Sequence, residues 1–484
     1  MDIINLKPQR VWKHFYSLTQ IPRPSKKEEK VRAFLAEFGR NLGLETVVDP
    51  TGNVIIRKPA TPGMENRKGI ILQAHMDMVP QKNNATEHDF EKDPIKPRIE
   101  GEWVYATGTT LGADNGMGVA AAMAVLEARD LVHGPVEVLI TTDEETGMTG
   151  ARGLRAGELQ GDILLNLDSE DEGELYVGCA GGEDGSFEME YRPVPVPRGW
   201  ESAHINITGL KGGHSGMDII LGRGNANKIM VRILHRLLET CDIRIASVEG
   251  GNLRNAIPRE ADSVICFAPG KQDAVRKEVE EIASVVQAEL KDVDPGLQVT
   301  VSACDAPSGI IPEDLSLKVI RAVYAAPNGV WAMSTPMPGL VETSSNMAIF
   351  RAKEGKIAVH CLIRSLVDTA KEDMGTALAC CFANIGANVS FSGSYPGWKP
   401  NMDSPILKVM LDTYKKMYGQ EAKVKAIHAG LECGILGGTY PNWDMISFGP
   451  TLRSPHSPDE RCLIPTVQKF WDLLVETLNN APVK

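Results

Sequence analysis

Gly69-Ile70-Ile71-Leu72-Gln73-Ala74-His75-Met76-Asp77 reads as a short apolar strand that runs straight into an imidazole and a carboxylate. An apolar run of this length, with little polar alternation, suits a strand covered on both faces. Residues 53–57, 136–142 and 162–167 have the same texture, and an Ala-rich helix over 118–128 lies among them. Strands alternating with helices predict an α/β unit with a mainly parallel sheet and flanking helices.

Polar residues gather where these strands end. The first reaches His75-Met-Asp77, the third Asp143-Glu144-Glu145 and the fourth Asn166-Leu-Asp168. Gly112-Ala-Asp114-Asn115-Gly116 makes a tight loop just before the helix, and His456 stands in Ser454-Pro-His456-Ser-Pro. Open α/β sheets bind ligands at the carboxyl ends of their strands.

The chain opens with two helices. Val11, Phe15 and Leu18 share a face of the first; Ser25-Lys-Lys-Glu28 reads as a capping box for the second, which continues through Val31, Leu35 and Phe38. At Arg192-Pro-Val-Pro-Val-Pro-Arg198 three prolines in five residues exclude a central strand and suggest a linker. Beyond it come a half-exposed strand over 203–208, a helix over 225–238, strands near Ile243 and Val264, and a charged helix over 272–291. The last portion returns to helix, strand (445–448) and helix (466–478). The expected organisation is a first part of the α/β domain over 1–195, an inserted α+β domain over 196–392, and a second part of the α/β domain over 393–484. Domain termini often lie close together, which makes such an insertion tolerable. A faint internal duplication links Asn255-Ala-Ile-Pro-Arg and its following strand with Asn346-Met-Ala-Ile-Phe-Arg and the strand through Arg364.

With 484 residues the chain exceeds what one core supports. Its 51 Lys+Arg against 63 Asp+Glu give a net charge of -12, which argues against nucleic acid and anionic membrane as partners. The first ten residues lack a signal-peptide pattern, and no apolar run nears 18 residues. Nine scattered cysteines without a CxxC pair read as reduced thiols, so a cytoplasmic location is expected.

Each polar motif alone has a plain structural reading. His-x-Asp suits a satisfied strand-end turn, Asp-Asn-Gly is turn chemistry, and Glu-Glu is ordinary in a solvated loop. Their joint arrival at one sheet edge favours metal chemistry. Alternate residues of an extended chain face the same side, so His75 and Asp77 address one site, and Asp77 can fix the His75 tautomer. Two imidazoles with carboxylates and no thiolate suit zinc, with manganese or cobalt as substitutes. Asp114 can bridge two ions roughly 3.5–4 Å apart that share and acidify a water. A carboxylate outside the ligand set, one of Glu144 and Glu145, can then carry the proton.

The pattern resembles the di-zinc exopeptidase family that includes carboxypeptidase G, carnosinases and aminoacylases, and within it the bacterial aminoacyl-histidine (Xaa-His) dipeptidase branch. The motifs that carry the resemblance extend over most of the chain. They are Lys211-Gly-Gly-His214-Ser-Gly216, Leu253-Arg-Asn255-Ala-Ile-Pro258, Val341-Glu-Thr-Ser344, His360-Cys-Leu-Ile-Arg364-Ser365, Ser394-Tyr-Pro-Gly-Trp398, His428-Ala-Gly-Leu-Glu-Cys-Gly434 and Pro455-His-Ser-Pro-Asp-Glu460.

The resemblance implies two zinc ions per chain. His75 and Asp168 would hold one, Glu145 and His456 the other, and Asp114 both, with a cis peptide after Asp114. It makes Glu144 the general base and Asp77 the residue that orients His75. It makes the inserted domain a lid in which His214 meets the substrate carbonyl, Asn255 adds a polar contact and Arg364 binds the C-terminal carboxylate. Glu432 either meets the substrate's amino group or caps a helix. His214 and Arg364 fall in different halves of the inserted domain, so a single chain is expected to supply the whole site. The implied activity is a metallo-dipeptidase acting on Xaa-His substrates such as carnosine. An N-acyl-amino-acid deacylase or related carboxypeptidase is the alternative within the same chemistry, and a non-catalytic peptide-binding protein is disfavoured by the retention of Asp77 and Glu144. Monomer and homodimer fit the sequence equally.

Overall fold

The computed structural model describes residues 2–484, which divide into two compact units. The first consists of the chain up to Cys179, Trp398–Ala426 and Leu431–Lys484; the second consists of Ala180–Gly397 and Ile427–Gly430.

The first unit is built on an eight-stranded sheet ordered Glu45–Val48, Val54–Lys58, Val136–Thr141, Ile70–His75, Ile163–Asn166, Asp444–Ser447, Glu174–Cys179, Lys423–Ile427. Its four central strands, from Val136–Thr141 to Asp444–Ser447, run parallel. Antiparallel neighbours flank them. Every residue of Ile70–His75 and Val136–Thr141 is buried, which explains their lack of polar alternation. Truncating a core side chain such as Leu72 to Ala would cost about 2–5 kcal/mol.

The Ala113–Glu127 helix is buried nearly all round, so small side chains suit it throughout. Asp114 (φ -80°, ψ 112°) and Asn115 (φ -102°, ψ 33°) are not helical and kink its start, so regular helix runs only from beyond them into the Ala-rich stretch. The first helix, Gln9–Thr19, buries Val11, Trp12, Phe15 and Leu18. The expected capping box is not formed. The second helix starts at Glu29 without a side-chain cap, Lys26 takes a positive φ of 67°, and the Glu28 carboxylate accepts the Lys26 N–H at 2.8 Å. A four-stranded sheet ordered Leu452–Arg453, Arg461–Leu463, Trp103–Ala106, Pro97–Glu100 carries the His456 loop between its first two strands. Among the described residues, no helix is long and apolar enough to cross a membrane.

The second unit is α+β. Its nine-stranded sheet is antiparallel through Glu201–Thr208, Ala261–Phe267, Arg244–Gly250, Val341–Lys353, Lys356–Ser365 and Gly181–Glu190. Helices Ala226–Thr240, Gln272–Leu290, Glu313–Ala325 and Asp368–Ala383 supply residues such as Met230, Val279, Val323 and Leu378 to one core with Ile265, Phe350 and Phe187 of the sheet. Asn225 caps the first of these helices, its side chain accepting from the Lys228 N–H at 3.2 Å. The proline run lies inside this unit, between Gly181–Glu190 and Glu201–Thr208, with Val194 bridged to Ile310. The chain therefore enters the second unit at Ala180, not near residue 196, because Gly181–Glu190 pairs along its whole length with Lys356–Ser365. Asn255 and Asn346 occupy unlike positions. The first precedes the two-residue strand Ala256–Ile257, and the second lies within Val341–Lys353 and donates to Arg254 O and Ala256 O at 3.2 and 2.8 Å.

Candidate metal centre

Three neighbouring parallel strands of the first unit deliver their polar ends to one place. Ile70–His75 ends in His75 itself, with Asp77 two residues on; Val136–Thr141 leads through Asp143 into the short helix Glu144–Gly147; Ile163–Asn166 leads to Asp168. The kinked start of Ala113–Glu127 adds Asp114, and the loop after Arg453 adds His456. Asp143 and His456 both hold positive φ, 52° and 58°, on the two turns that present these ligands. The Asp114–Asn115 peptide is cis.

Asp114 is the hub. His75 Nε2 lies 3.2 Å from its Oδ1 and His456 Nε2 lies 3.2 Å from its Oδ2. His75 Nε2 is also 3.4 Å from Asp168 Oδ1, and His456 Nε2 is 2.9 Å from Glu145 Oε2. Glu144 Oε2 stays 4.0 Å from His75 Nε2, outside this inner set. Asp77 is fully buried, 3.3 Å from His75 Nδ1, and its two oxygens accept the backbone N–H groups of Glu144 (3.0 Å) and Glu145 (3.3 Å).

The acids and imidazoles perturb one another strongly here. Burial opposes charge on His75, yet Asp168, Asp114 and Asp77 together raise its pKa well above the usual value. Hydrogen bonds to Asp114 and Glu145 push His456 up to about 11. Burial tends to raise Asp77, but the His75 contact and the Glu144 N–H hold it down to about 2. Burial drives Glu144 well above the carboxylate range and Asp168 to about 7. Glu145 Oε1 and Asp168 Oδ1 are buried with no hydrogen-bond partner among the described residues. Ligand atoms of His75, Asp114 and Glu145 lie within 4.8 Å of one another. Crowded acids, unsatisfied inward oxygens and two imidazoles fit divalent metal, with nitrogen and oxygen donors of the zinc type.

A buried polar ladder underlies the strand ends. Gln73 and Thr141 donate to Glu432 Oε2 at 2.6 and 2.8 Å, Asn166 donates to Gln73 at 2.5 Å, and Ser447 donates to Asn166 at 2.5 Å. Glu432, only 1% exposed, therefore forms part of the floor. It is the first residue of the Glu432–Thr439 helix, which has no side-chain cap. It does not serve as that helix's cap, the second of the two roles expected for it.

Three further residues near the centre escape a reading of the sequence. Glu170, two residues past Asp168, is driven by burial to about 8, with Asp114 and Asp168 raising it further. Arg23 and Glu460 are buried charges bonded to backbone. Only Glu460 carries a sequence signal, as the last residue of Pro455-His-Ser-Pro-Asp-Glu460; Arg23 lies in an unremarkable Ile-Pro-Arg-Pro turn.

The second unit brings the other expected residues into one polar cluster. His214 ends the two-residue strand Gly213–His214, paired with Ala256–Ile257. Its Nδ1 accepts the N–H groups of Gly216 (3.2 Å) and Met217 (3.0 Å), which leaves the ring proton on Nε2. Arg364 is 6% exposed and donates to the Tyr395 hydroxyl at 3.1 Å and towards Ser215 Oγ at 3.5 Å. Residue 216 must be glycine here: a Cβ would lie 2.2 Å from His428 O, 3.1 Å from His214 Cε1 and 3.2 Å from Arg364 Nε. His428 is itself buried against Ser344 Oγ at 2.7 Å. Asn255 is exposed, and its carbonyl accepts the Ser215 N–H at 2.9 Å.

The model of Peptidase family M20/M25/M40 matches residues 71–480. The chain is 44% identical to the cytosol non-specific dipeptidase of Escherichia coli (strain K12), over 100% of both chains. It superposes on the crystal structure of an aminoacylhistidine dipeptidase from Vibrio alginolyticus with TM-score 0.95 and 47% identity, covering 100% of this chain and 99% of that one. Aminopeptidase PepT from Bacillus cereus shares the fold at TM-score 0.57 and 17% identity, covering 98% of each chain.

Proposed function

The chain belongs to peptidase family M20/M25/M40, and from that premise we propose that it hydrolyses dipeptides, Xaa-His dipeptides such as carnosine among them, using two zinc ions per chain. One observation carries the two-ion reading. The two oxygens of Asp114 face different imidazoles, and each imidazole has its own second carboxylate, Asp168 beside His75 and Glu145 beside His456.

Bound there, a pair of ions would acidify a shared water and polarise the scissile carbonyl. Glu144 is the acid left over. It accepts the water's proton and returns it to the leaving amine, from a place just outside the inner ligand set. Asp77 keeps Glu144 in place through its backbone N–H and holds the His75 ring in orientation. His214 offers an Nε2–H donor suited to a developing oxyanion. Arg364 offers a buried guanidinium with the planar fork that suits a terminal carboxylate, and Asn255 an exposed amide. Glu432 has no substrate role in this proposal: it is only 1% exposed, and Gln73 and Thr141 both donate to its Oε2.

Both near relatives are named as dipeptidases, one of them as non-specific, which supports dipeptides over N-acyl amino acids and a preference broader than Xaa-His. The cytosol is the proposed location, supported by the name of the relative and by nine free cysteines. Purified enzyme assayed on β-Ala-His, Gly-His, a dipeptide without His and an N-acetyl amino acid tests the substrate class. Cleavage of the dipeptides alone is expected, and activity confined to the acetylated compound would overturn it.

A further inference from the structure

The loop that carries Asp114 is gripped by two buried charged side chains to which the proposed chemistry gives no part. Glu460 Oε2 accepts the backbone N–H groups of Leu111 (2.7 Å) and Gly112 (2.9 Å). Its Oε1 accepts those of Ala113 (2.7 Å) and Asp114 (3.2 Å). One carboxylate thus satisfies four successive N–H groups, and it is only 2% exposed.

Arg23 holds the same loop from its carbonyl side. Its Nη2 donates to Gly112 O at 2.5 Å, and its Nη1 donates to Met76 O (3.0 Å) and Asp77 O (2.9 Å). Three ligand-bearing segments are thereby tied together. Arg23 joins the end of the His75 strand to the Asp114 loop, and Glu460, four residues past His456, joins the Asp114 loop to the His456 loop. There is little slack: a Cβ at Gly112 would lie 2.6 Å from Arg23 Nη2.

We propose that Glu460, with Arg23 opposite it, is a positioning residue that fixes the Asp114 carboxylate at its bridging point between His75 and His456. The inference rests on the two-ion reading of the site. A glutamine in place of Glu460 has one acceptor oxygen and turns an NH2 group towards N–H donors, so about half of these bonds are lost. Asp114 then gains freedom, and because it faces both imidazoles, the loss falls on both ions rather than on one.

The test uses full-length wild type, Glu460→Gln and Glu460→Asp, each stripped with chelator. Each is titrated with Zn2+ and with Co2+ against a chromophoric chelator, with circular dichroism and the Tm of the metal-free protein as folding controls. Expected are folded variants in which both ions bind about 10–100-fold more weakly, the range known for residues that orient metal ligands. The visible Co2+ spectrum should change, and Glu460→Asp should restore part of the affinity because it keeps the charge. If Glu460→Gln does not fold, the affinity of Glu460→Asp decides. Wild-type affinity for both ions and an unchanged Co2+ spectrum in a folded variant would overturn the proposal. A wild-type protein that takes up no metal would instead remove the two-ion reading, and this inference with it.

Discussion

Asp77 Oδ1 accepts the backbone N–H of Glu144 at 3.0 Å while lying 3.3 Å from His75 Nδ1. A single buried carboxylate therefore couples the orientation of a metal-binding imidazole to the placement of the proposed proton carrier. Asp77→Asn should weaken metal at the His75 position by roughly 10–100-fold and lower kcat as well. Metal content and kcat measured on one preparation check this, and normal values for both would contradict the coupling.

Glu144 stands outside the inner ligand set, 4.0 Å from His75 Nε2. Glu144→Gln should keep full metal content and lose about 10²–10⁴ in kcat, the usual worth of a positioned acid–base group. Metal analysis beside steady-state kinetics separates this from loss of a ligand, and near-full turnover would remove Glu144 from the mechanism.

Asp114 touches both halves of the centre, whereas His456 touches one. Asp114→Asn should weaken both ions together, and His456→Ala should weaken mainly one. Calorimetric titration of the metal-free proteins distinguishes the two patterns.

Gly216 brings His214 and Arg364 within one cluster of a single chain. Arg364→Ala should raise KM for dipeptides with a free C-terminal carboxylate by about 1.5–3 kcal/mol, the value of a charge-assisted bond, and leave amidated analogues little changed. Mixed His214→Ala and Arg364→Ala chains should stay inactive. Restored activity in the mixture would mean that the two residues work across subunits.

Burial, reinforced by the charge of Arg364, holds the His428 pKa down to about 3. An unfolded His titrates near about 6.5. Below about pH 6.5 the unfolded chain binds a proton that folded His428 refuses, so stability is lost as pH falls from there towards about 3. At about pH 4.5 this amounts to roughly 2–3 kcal/mol. Wild type should therefore lose more Tm than His428→Gln between about pH 7 and about pH 4.5, and parallel Tm losses would contradict the assignment.

The fold around the centre is legible in the sequence because each strand advertises itself locally. Ile70–His75 and Val136–Thr141 are mostly apolar and wholly buried, with Gln73 and Glu137 the polar residues inside them, and their polar ends mark the carboxyl edge. The ligand set follows from donor chemistry and from the family resemblance. What the sequence conceals depends on tertiary contact. Ser25-Lys-Lys-Glu28 has the letters of a capping box, but Glu28 turns back onto the Lys26 N–H. The proline run looks like a boundary, although it is an internal connection of the second unit. Glu432 reads as a substrate contact or a helix cap because its partners, Gln73 and Thr141, lie 359 and 291 residues away in the chain. Arg23 is silent for the same reason, and Glu460 shows only as the end of the His456 motif, since the partners of both are backbone atoms far off in sequence.

Stepwise return of zinc to the chelator-stripped enzyme, with β-Ala-His hydrolysis followed at each addition, tests the two-ion dipeptidase most directly. Activity should be absent at first and reach its plateau at about two zinc ions per chain, with Glu144→Gln binding the same amount in silence. Hydrolysis by the metal-free chain, or a wild-type protein that binds no zinc, would contradict it.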